Sequence, residues 1–359
     1  MTQFVKGGPD IPDHLLQAHE DGEVVLFCGA GISYPACLPG FDRLTQLLFH
    51  NLVHDDRSAV EEAAMSSGLF DTAIGLLEGR IVGGRETVRR EVASLLRPNL
   101  SATGATATHE ALLDLAQTRK GRWRLVTTNF DRLFEHVRAT RKLGYESFEA
   151  PLLPIPKRKW DGVVYLHGLL GEPSTLRDQE RLILSSGDFG RAYLTERWAA
   201  RFVSELFRAY TVCFIGYSIN DPVLRYMMDA LAADRQDGEP LPTAFVFGDC
   251  RSADCTTAKA KWEAKGVVPI LYSVPTGTED HSLLHLSLRE WADTYREGAL
   301  GKKQIVAKYA QTKPIGSTKE DDFAARMLWA LRDRDGLPAK LFADLDPLPP
   351  IDWLGPLSE

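Results

Sequence analysis

Four short stretches of this 359-residue chain carry side chains whose types and spacing suit chemistry on a phosphorylated ligand. The first is Gly29-Ala30-Gly31-Ile32-Ser33, directly after the apolar run that ends at Cys28. Glycine at 29 and 31 lets the backbone turn sharply and lie close to a phosphate, which a Cβ would obstruct, and free N–H groups there supply an anion site. A nucleotide is the expected guest, although this turn alone is equally a plain strand-to-helix connection. The others are Thr127-Thr128-Asn129-Phe130-Asp131, His167-Gly168 and Gly216-Tyr217-Ser218. An amide can orient a ligand, and an imidazole can move a proton near neutrality. Each also has a structural alternative: Asn129 or Asp131 as a helix N-cap, Asn220 or Asp221 as a cap before Pro222, and His167 as a satisfied buried histidine. For Asp221 the cap is preferred. For Asn129 and His167, joint occurrence at strand ends favours function.

The elements that must position these groups follow from periodicity. Short apolar runs predict six strands, at 23–28, 123–128, 163–166, 212–215, 244–247 and 267–272. Helical spacing is expected after the glycine turn with Leu44, Leu47 and Leu48, through 57–96, at 109–117 and 131–140, as one long amphipathic helix over 192–210, and from Pro222 through Leu231. Residues 171–190 read as polar and turn-rich. Strands alternating with helices predict an α/β fold, a Rossmann-like parallel sheet covered on both faces, and ligands in such sheets sit beyond the carboxyl ends of the strands. All four polar stretches fall there. The expected organisation is a lead-in over 1–22, a nucleotide-binding domain over 23–297 with helical insertions about 55–118 and 171–210, and a C-terminal part over 298–359.

Composition narrows the function classes. A net charge of -7 argues against non-specific nucleic-acid binding as the main activity, because that is driven by basic surface. Of the five cysteines, Cys28, Cys37, Cys213, Cys250 and Cys255, none forms a CxxC pair. Reduced thiols, a cytoplasmic location and no structural zinc are the expectation. No stretch has the length of a signal-peptide core or a membrane span.

GAGIS, TTNFD, the strand-ending HG and GYS, in this order, resemble the sirtuin family, and most of all the sirtuin-like NADases of bacterial antiphage defence. The likeness covers about residues 20–290, and LPGFDRL at 38–44, LSSGDF at 184–189 and FIGYSINDP at 214–222 look more like the defence branch than like protein deacetylases. The resemblance implies NAD as substrate. Gly29, Ala30, Gly31 and Ser33 would cradle its phosphates, with Gly216 and Ser218 meeting the dinucleotide from the opposite side. Asn129 would hold the ribose and orient a water, Asp131 would line the nicotinamide pocket, His167 would help proton transfer, and Asp249 would contact the adenosine ribose. It also implies a homo-oligomer or an ATPase or Argonaute-like partner protein, with no membrane.

The departures from deacetylating sirtuins are specific. The paired cysteines of their zinc module are missing between His167 and Gly216, Phe41 is followed by Asp42 before Arg43, and Thr128 stands where glutamine is common. No metal is expected. The expected activity is NAD cleavage to nicotinamide and ADP-ribose, with a non-cleaving NAD or ADP-ribose sensor and a zinc-independent protein deacylase as alternatives. A dehydrogenase would show a longer glycine fingerprint.

In the C-terminal part, 302–319 reads as polar loop and Asp322–Arg332 as an amphipathic helix. The proline-rich end, Pro347–Leu354, carries an exposed-looking Trp353 that packs on its own domain or docks a partner.

Overall fold

The computed structural model describes residues 1–156, 160–171, 181–219, 221, 224, 226–228, 241–251 and 255–358. Among them lies one seven-stranded sheet in the order β3-β4-β2-β1-β5-β6-β7. The strands are β1 (Val24–Cys28), β2 (Arg124–Thr127), β3 (Glu146–Glu149), β4 (Gly162–Tyr165), β5 (Thr211–Ile215), β6 (Phe245–Cys250) and β7 (Val268–Ser273). Every pairing is parallel. The seventh strand, absent from the sequence reading, is β3. Its Glu-Ser-Phe-Glu lies at the sheet edge, half exposed, so it carries none of the apolar run that marks a buried strand.

Because successive side chains of a strand point to opposite faces, the sheet sorts its residues into two cores. Leu26, Cys28, Leu125, Tyr165, Cys213 and Ile215 pack on one face with the Ala107–Ala116 and Ser282–Glu297 helices. Val25, Phe27, Val126, Val164, Val212 and Phe214 pack on the other, against the Trp198–Ala209 helix. Ala107–Ala116 therefore belongs to the sheet layers, although the sequence reading assigned it to an insertion. The helices Phe41–Val53, Ala59–Ser66, Phe70–Arg80 and Gly84–Leu95 build a third cluster, which also holds Phe130, Leu182 and Leu184.

The long helix expected over 192–210 is two pieces. A π-helical turn, Gly190–Thr195, gives way to Trp198–Ala209 after Arg197, whose φ of 60° is left-handed and incompatible with a continuing helix. Leu194 is consequently 67% exposed rather than part of the apolar stripe. Of the helix expected through Leu231, Leu224, Tyr226, Met227 and Met228 are helical, and the remainder lies outside the described residues, as does the 172–180 part of the turn-rich 171–190 segment, whose Ser186–Phe189 is a helical turn. Cys250 and Cys255 are joined by a disulfide, which corrects the expectation of reduced thiols at that pair, while Cys28, Cys37 and Cys213 are free. Among the described residues no helix is long and apolar enough to cross a membrane.

The C-terminal part also departs from its reading. The expected loop overlaps the Ala299–Tyr309 helix, and Val306 within it and Ala310 just after it pack with Phe323, Met327 and Trp353. Trp353 is 1% exposed, and its indole Nε1 donates to the Ala310 carbonyl at 3.1 Å. A buried indole needs such a partner, so the tail is packed on its own chain. This unit is tied to the N-terminus as well. Lys302 pairs with Asp333 at 2.8 Å and Glu20 at 3.2 Å, and Arg326 donates to the Gln3 carbonyl at 2.6 Å. Trp353→Ala is expected to destabilise the protein by about 3 kcal/mol in urea titration, the usual cost of emptying a buried aromatic site. A change of only a few tenths would mean the indole is not packed as described.

Candidate active site

The site is assembled where the chain reverses its direction of travel across the sheet. Strands β2, β4 and β3 lie to one side of β1, and β5, β6 and β7 to the other, so the ends of β1 and β5 flank the crevice in which open α/β sheets hold ligands. The two turns touch through glycine. A Cβ on Gly216, where φ is +77°, would lie 2.7 Å from the Ile32 nitrogen, and one on Gly29 would lie 2.8 Å from the Gly216 carbonyl oxygen. Gly29 N–H donates to Ile215 O at 2.8 Å and Gly31 N–H to Gly216 O at 2.9 Å. This corrects one sequence expectation. Those two N–H groups are engaged within the chain, and the glycines serve the contact of backbone with backbone. The helix expected directly after the turn is first a 3-10 segment, Ala30–Ala36, and only then Phe41–Val53.

The end of β2 is held by the Cys28 carbonyl, which accepts from Thr128 N–H at 3.1 Å, Thr127 Oγ1 at 3.1 Å and Tyr217 OH at 3.2 Å. Thr127 Oγ1 in turn accepts from Asn129 N–H at 3.1 Å, and Thr128 Oγ1 is 2.7 Å from Tyr217 OH. Three strand ends are thus joined around one carbonyl. Beyond it lies a buried polar cluster. Ser33 Oγ donates to Asp131 Oδ2 at 2.8 Å and accepts from Asn129 Nδ2 at 3.1 Å, with His109 Nε2 at 3.4 Å. Asp131 Oδ1 accepts from Leu133 N–H at 3.0 Å, at the start of the Leu133–Arg141 helix, but the N-cap position is Arg132, so Asp131 precedes the cap and supports the first turn from within the cluster.

His167, at the end of β4, is 1% exposed, with Nε2 2.9 Å from Tyr193 OH and its ring edge-on to Phe189 at 5.2 Å. Burial holds its pKa down to about 3, and holds His109 at about 3 against a small opposing pull from Glu110. Both imidazoles are therefore neutral at pH 7. Burial pushes the Asp131 carboxyl up, partly offset by hydrogen bonds from Leu133, Ser33 and Asn129.

Two adjoining cavities open at this edge. The larger, about 770 Å³, falls within the size range of cofactor clefts. It is lined by Ala30, Gly31, Gly216, Ser218 and Asp249 among others. The smaller, about 50 Å³, is lined by Asn129, Asp131, His167, Ser33, Phe130 and Phe189, and by that measure has room for more than one water molecule. Ala30, Phe41 and Asp221 border both.

The sequence-derived residues therefore divide. Asn129, Asp131, His167 and Ser33 converge on the small cavity, Gly31, Gly216, Ser218 and Asp249 on the large one, and Gly29 lines neither. Ser33, expected among the phosphate contacts, is buried with its hydroxyl spent on the Asn129–Asp131 cluster. Asp249 lies within β6 rather than after it, and its carboxylate accepts from Arg251 Nε at 2.8 Å. Asp221 precedes residues outside the described set, so the cap preferred for it falls there too. Sequence reasoning missed His109, Tyr193 and Arg251. His109 stood in an ordinary helical pattern, and its only signal was a histidine on an otherwise apolar face. Among the described residues no group of three or more His, Cys, Asp or Glu is placed to hold a metal.

Two predictions follow from this geometry. Gly216→Ala is expected to destabilise by more than about 1 kcal/mol in urea titration, because it combines a left-handed φ with a clash on backbone. Normal stability would mean the two turns can separate freely. The second concerns acid. Folded His109 and His167 bind protons only near pH 3, against an ordinary 6.5, so between these values the unfolded chain holds more protons and stability falls as pH falls. The expected loss is up to about 1.4 kcal/mol per histidine per pH unit. Urea titrations at pH 6.5 and 5.5 measure it, and equal stabilities would contradict the burial of neutral imidazoles.

Comparison with known proteins adds two likenesses. The chain is 31% identical over 335 residues, 92% of its length, to the uncharacterized protein y4cA of Sinorhizobium fredii (strain NBRC 101917 / NGR234). That alignment covers 27% of y4cA, so the chain spans about a quarter of the length of the curated relative it matches. The SIR2-like domain family matches residues 124–270, which run from β2 into β7 and include Asn129, Asp131, His167, Gly216, Ser218 and Asp249 but not the glycine turn after β1. The chain thus carries a SIR2-like domain over residues 124–270, consistent with NAD binding.

Proposed function

We propose that this protein hydrolyses NAD to nicotinamide and ADP-ribose. The observation that carries the reading is the convergence of Asn129 and His167 on one small cavity beside a cleft of dinucleotide size. A SIR2-like domain suggests NAD-related chemistry, and this geometry suits the cleavage of one bond.

In this mechanism the adenosine and phosphates occupy the large cavity, along Ala30, Gly31, Gly216 and Ser218, with Asp249 nearest the adenosine ribose. The nicotinamide ribose reaches Asn129 at the mouth of the small cavity, where Asp131 lines the nicotinamide pocket. The bond from the anomeric carbon to the cationic ring is already activated, so it breaks through an oxocarbenium-like transition state without a strong acid. Nicotinamide leaves with the bonding electron pair. Water adds to the anomeric carbon and its proton passes through neutral His167 to solvent, which completes NAD⁺ + H₂O → nicotinamide + ADP-ribose + H⁺. Asn129 does not titrate near neutrality, so it orients the ribose and the water. Positioning of this kind supplies several kcal/mol of barrier reduction, and proton transfer roughly 10²–10⁴-fold in rate.

The likeness of GAGIS, TTNFD, HG and GYS to defence-branch NADases supports a role as an NAD-depleting effector, switched by self-assembly or by an ATPase or Argonaute-like partner. The proline-rich end is a candidate contact, since Leu348, Ile351 and Leu354 are exposed around buried Trp353.

Chromatography of NAD incubated with the protein at several concentrations is expected to show equal release of nicotinamide and ADP-ribose. Folded Asn129→Ala should lose at least about 100-fold in kcat and His167→Ala roughly 10²–10⁴-fold. Binding of NAD without release at any concentration, alone or with an ATPase or Argonaute-like partner added, or undiminished release by Asn129→Ala, would overturn the assignment. Release that steepens with protein concentration would identify self-assembly as the switch.

A further inference from the structure

The hydrogen-bond bookkeeping around Ser33 assigns a role to two residues that do not face the reacting bond. Ser33 Oγ has one proton and two lone pairs. Its shortest contact, 2.8 Å, is to the Asp131 carboxylate, which only accepts when ionised, so the hydroxyl proton goes there. Both other partners must then donate to Ser33. Asn129 does so through Nδ2 at 3.1 Å. His109 does so only if its proton sits on Nε2, 3.4 Å away.

The rest of the His109 environment agrees. The ring is buried against Phe134 at 4.7 Å, and burial keeps it neutral, so it holds a single ring proton. Among the described residues its Nδ1 has no hydrogen-bond partner, which is tolerable for an unprotonated nitrogen and costly for a buried N–H. Asn129 also acts against the upward push of burial on the Asp131 carboxyl, as an amide N–H turned toward it would. With its amide nitrogen on Ser33, Asn129 leaves Oδ1 as the end of the amide to present to the small cavity that it lines.

That orientation matters for the chemistry. An amide oxygen accepts from a ribose hydroxyl or from the attacking water, and its partial negative charge favours an oxocarbenium-like centre. The flipped amide would offer N–H groups to a developing positive charge. We propose that Ser33 and His109 are positioning residues that lock the Asn129 side chain with Oδ1 toward the reacting ribose, an inference that rests on the glycohydrolase reading for its consequence in rate. Ser33 accepts from the amide and directs it, and His109 donates to Ser33 from behind so that the hydroxyl proton stays directed at Asp131.

The test compares His109→Gln, which keeps an N–H donor near the Nε2 position, with His109→Leu and Ser33→Ala, each checked for folding by circular dichroism. Expected is a kcat lower by about 10-fold or more in His109→Leu and Ser33→Ala, a KM for NAD within about twofold of the parent, and recovery of most of kcat in His109→Gln. Unchanged kcat in folded His109→Leu, or a glutamine variant no better than leucine, would overturn the proposal. A second measurement is independent of turnover and of variant folding. Two-bond ¹⁵N–¹H correlation spectra of the parent protein at pH 7 should show His109 as the neutral Nε2–H tautomer, and an Nδ1–H tautomer or a charged ring would overturn the lock. Should the parent release no nicotinamide, alone or with a partner protein, the glycohydrolase reading fails while the tautomer still decides whether the lock exists.

Discussion

Backbone contact between the turns after β1 and β5 is the constraint on which the site depends. Gly29, Gly31 and Gly216 meet with no room for a Cβ, and the N–H of Gly31 is bonded to the carbonyl of Gly216 across the gap. This approach brings Tyr217 under the end of β1, where its hydroxyl reaches the Cys28 carbonyl and the Thr128 hydroxyl. The position of Asn129 is thereby coupled to a strand two places away in the sheet. Wider separation of the turns would loosen three strand ends at once, since they share the Cys28 carbonyl.

A second constraint holds the other wall. Arg89, on the Gly84–Leu95 helix, is almost wholly buried and pairs with Asp188 at 2.6 Å and Glu78 at 3.4 Å. Burial works to raise the Asp188 carboxyl, but Arg89, the N–H groups of Ser185 and Leu184, and Arg85 outweigh it and hold it below the ordinary carboxylate range. Such a buried pair is a poor source of net stability, because desolvation offsets much of the attraction. Its effect is geometric. It fastens the helical cluster of Phe41–Leu96 to the segment Leu182–Phe189, and Phe189 is the ring against which His167 packs. Phe189 in turn stacks on Tyr226, whose hydroxyl bonds to Asp71 of the same helical cluster at 3.2 Å.

The two cavities differ in the physics they offer. Around the large one, Asp249, Arg251 and Glu279 form an exposed charged network in which Arg251 grips Glu279 with both terminal nitrogens, at 2.9 and 2.8 Å. Water and salt screen such contacts, which suits reversible recognition of a polar ligand. Around the small cavity the polar groups are buried and bonded to one another, in a setting of low dielectric where orientation is strongly enforced. Binding and orientation are thus separated in space.

Much of this was legible in the sequence, and the reason is local. Short apolar runs mark buried parallel strands wherever they occur, so six strands, the α/β class and the gathering of Asn129, His167, Gly31 and Ser218 beyond the strand ends could be read from patterns of a few residues. The rest required the folded chain. Edge strand β3 lacked an apolar signal, Trp353 looked exposed until the Ala299–Tyr309 helix supplied a surface to cover it, and Cys250 met Cys255 only in the loop after β6. Above all, the direction of each polar side chain was a tertiary matter. Ser33 and His109 are 76 residues apart and meet only because the Ala107–Ala116 helix packs across the end of β1. Sequence determined which groups the chain would offer at the sheet edge. Tertiary structure decided which hydrogen bonds they would spend on one another, because a buried donor or acceptor takes whatever partner the packing of distant elements brings within reach.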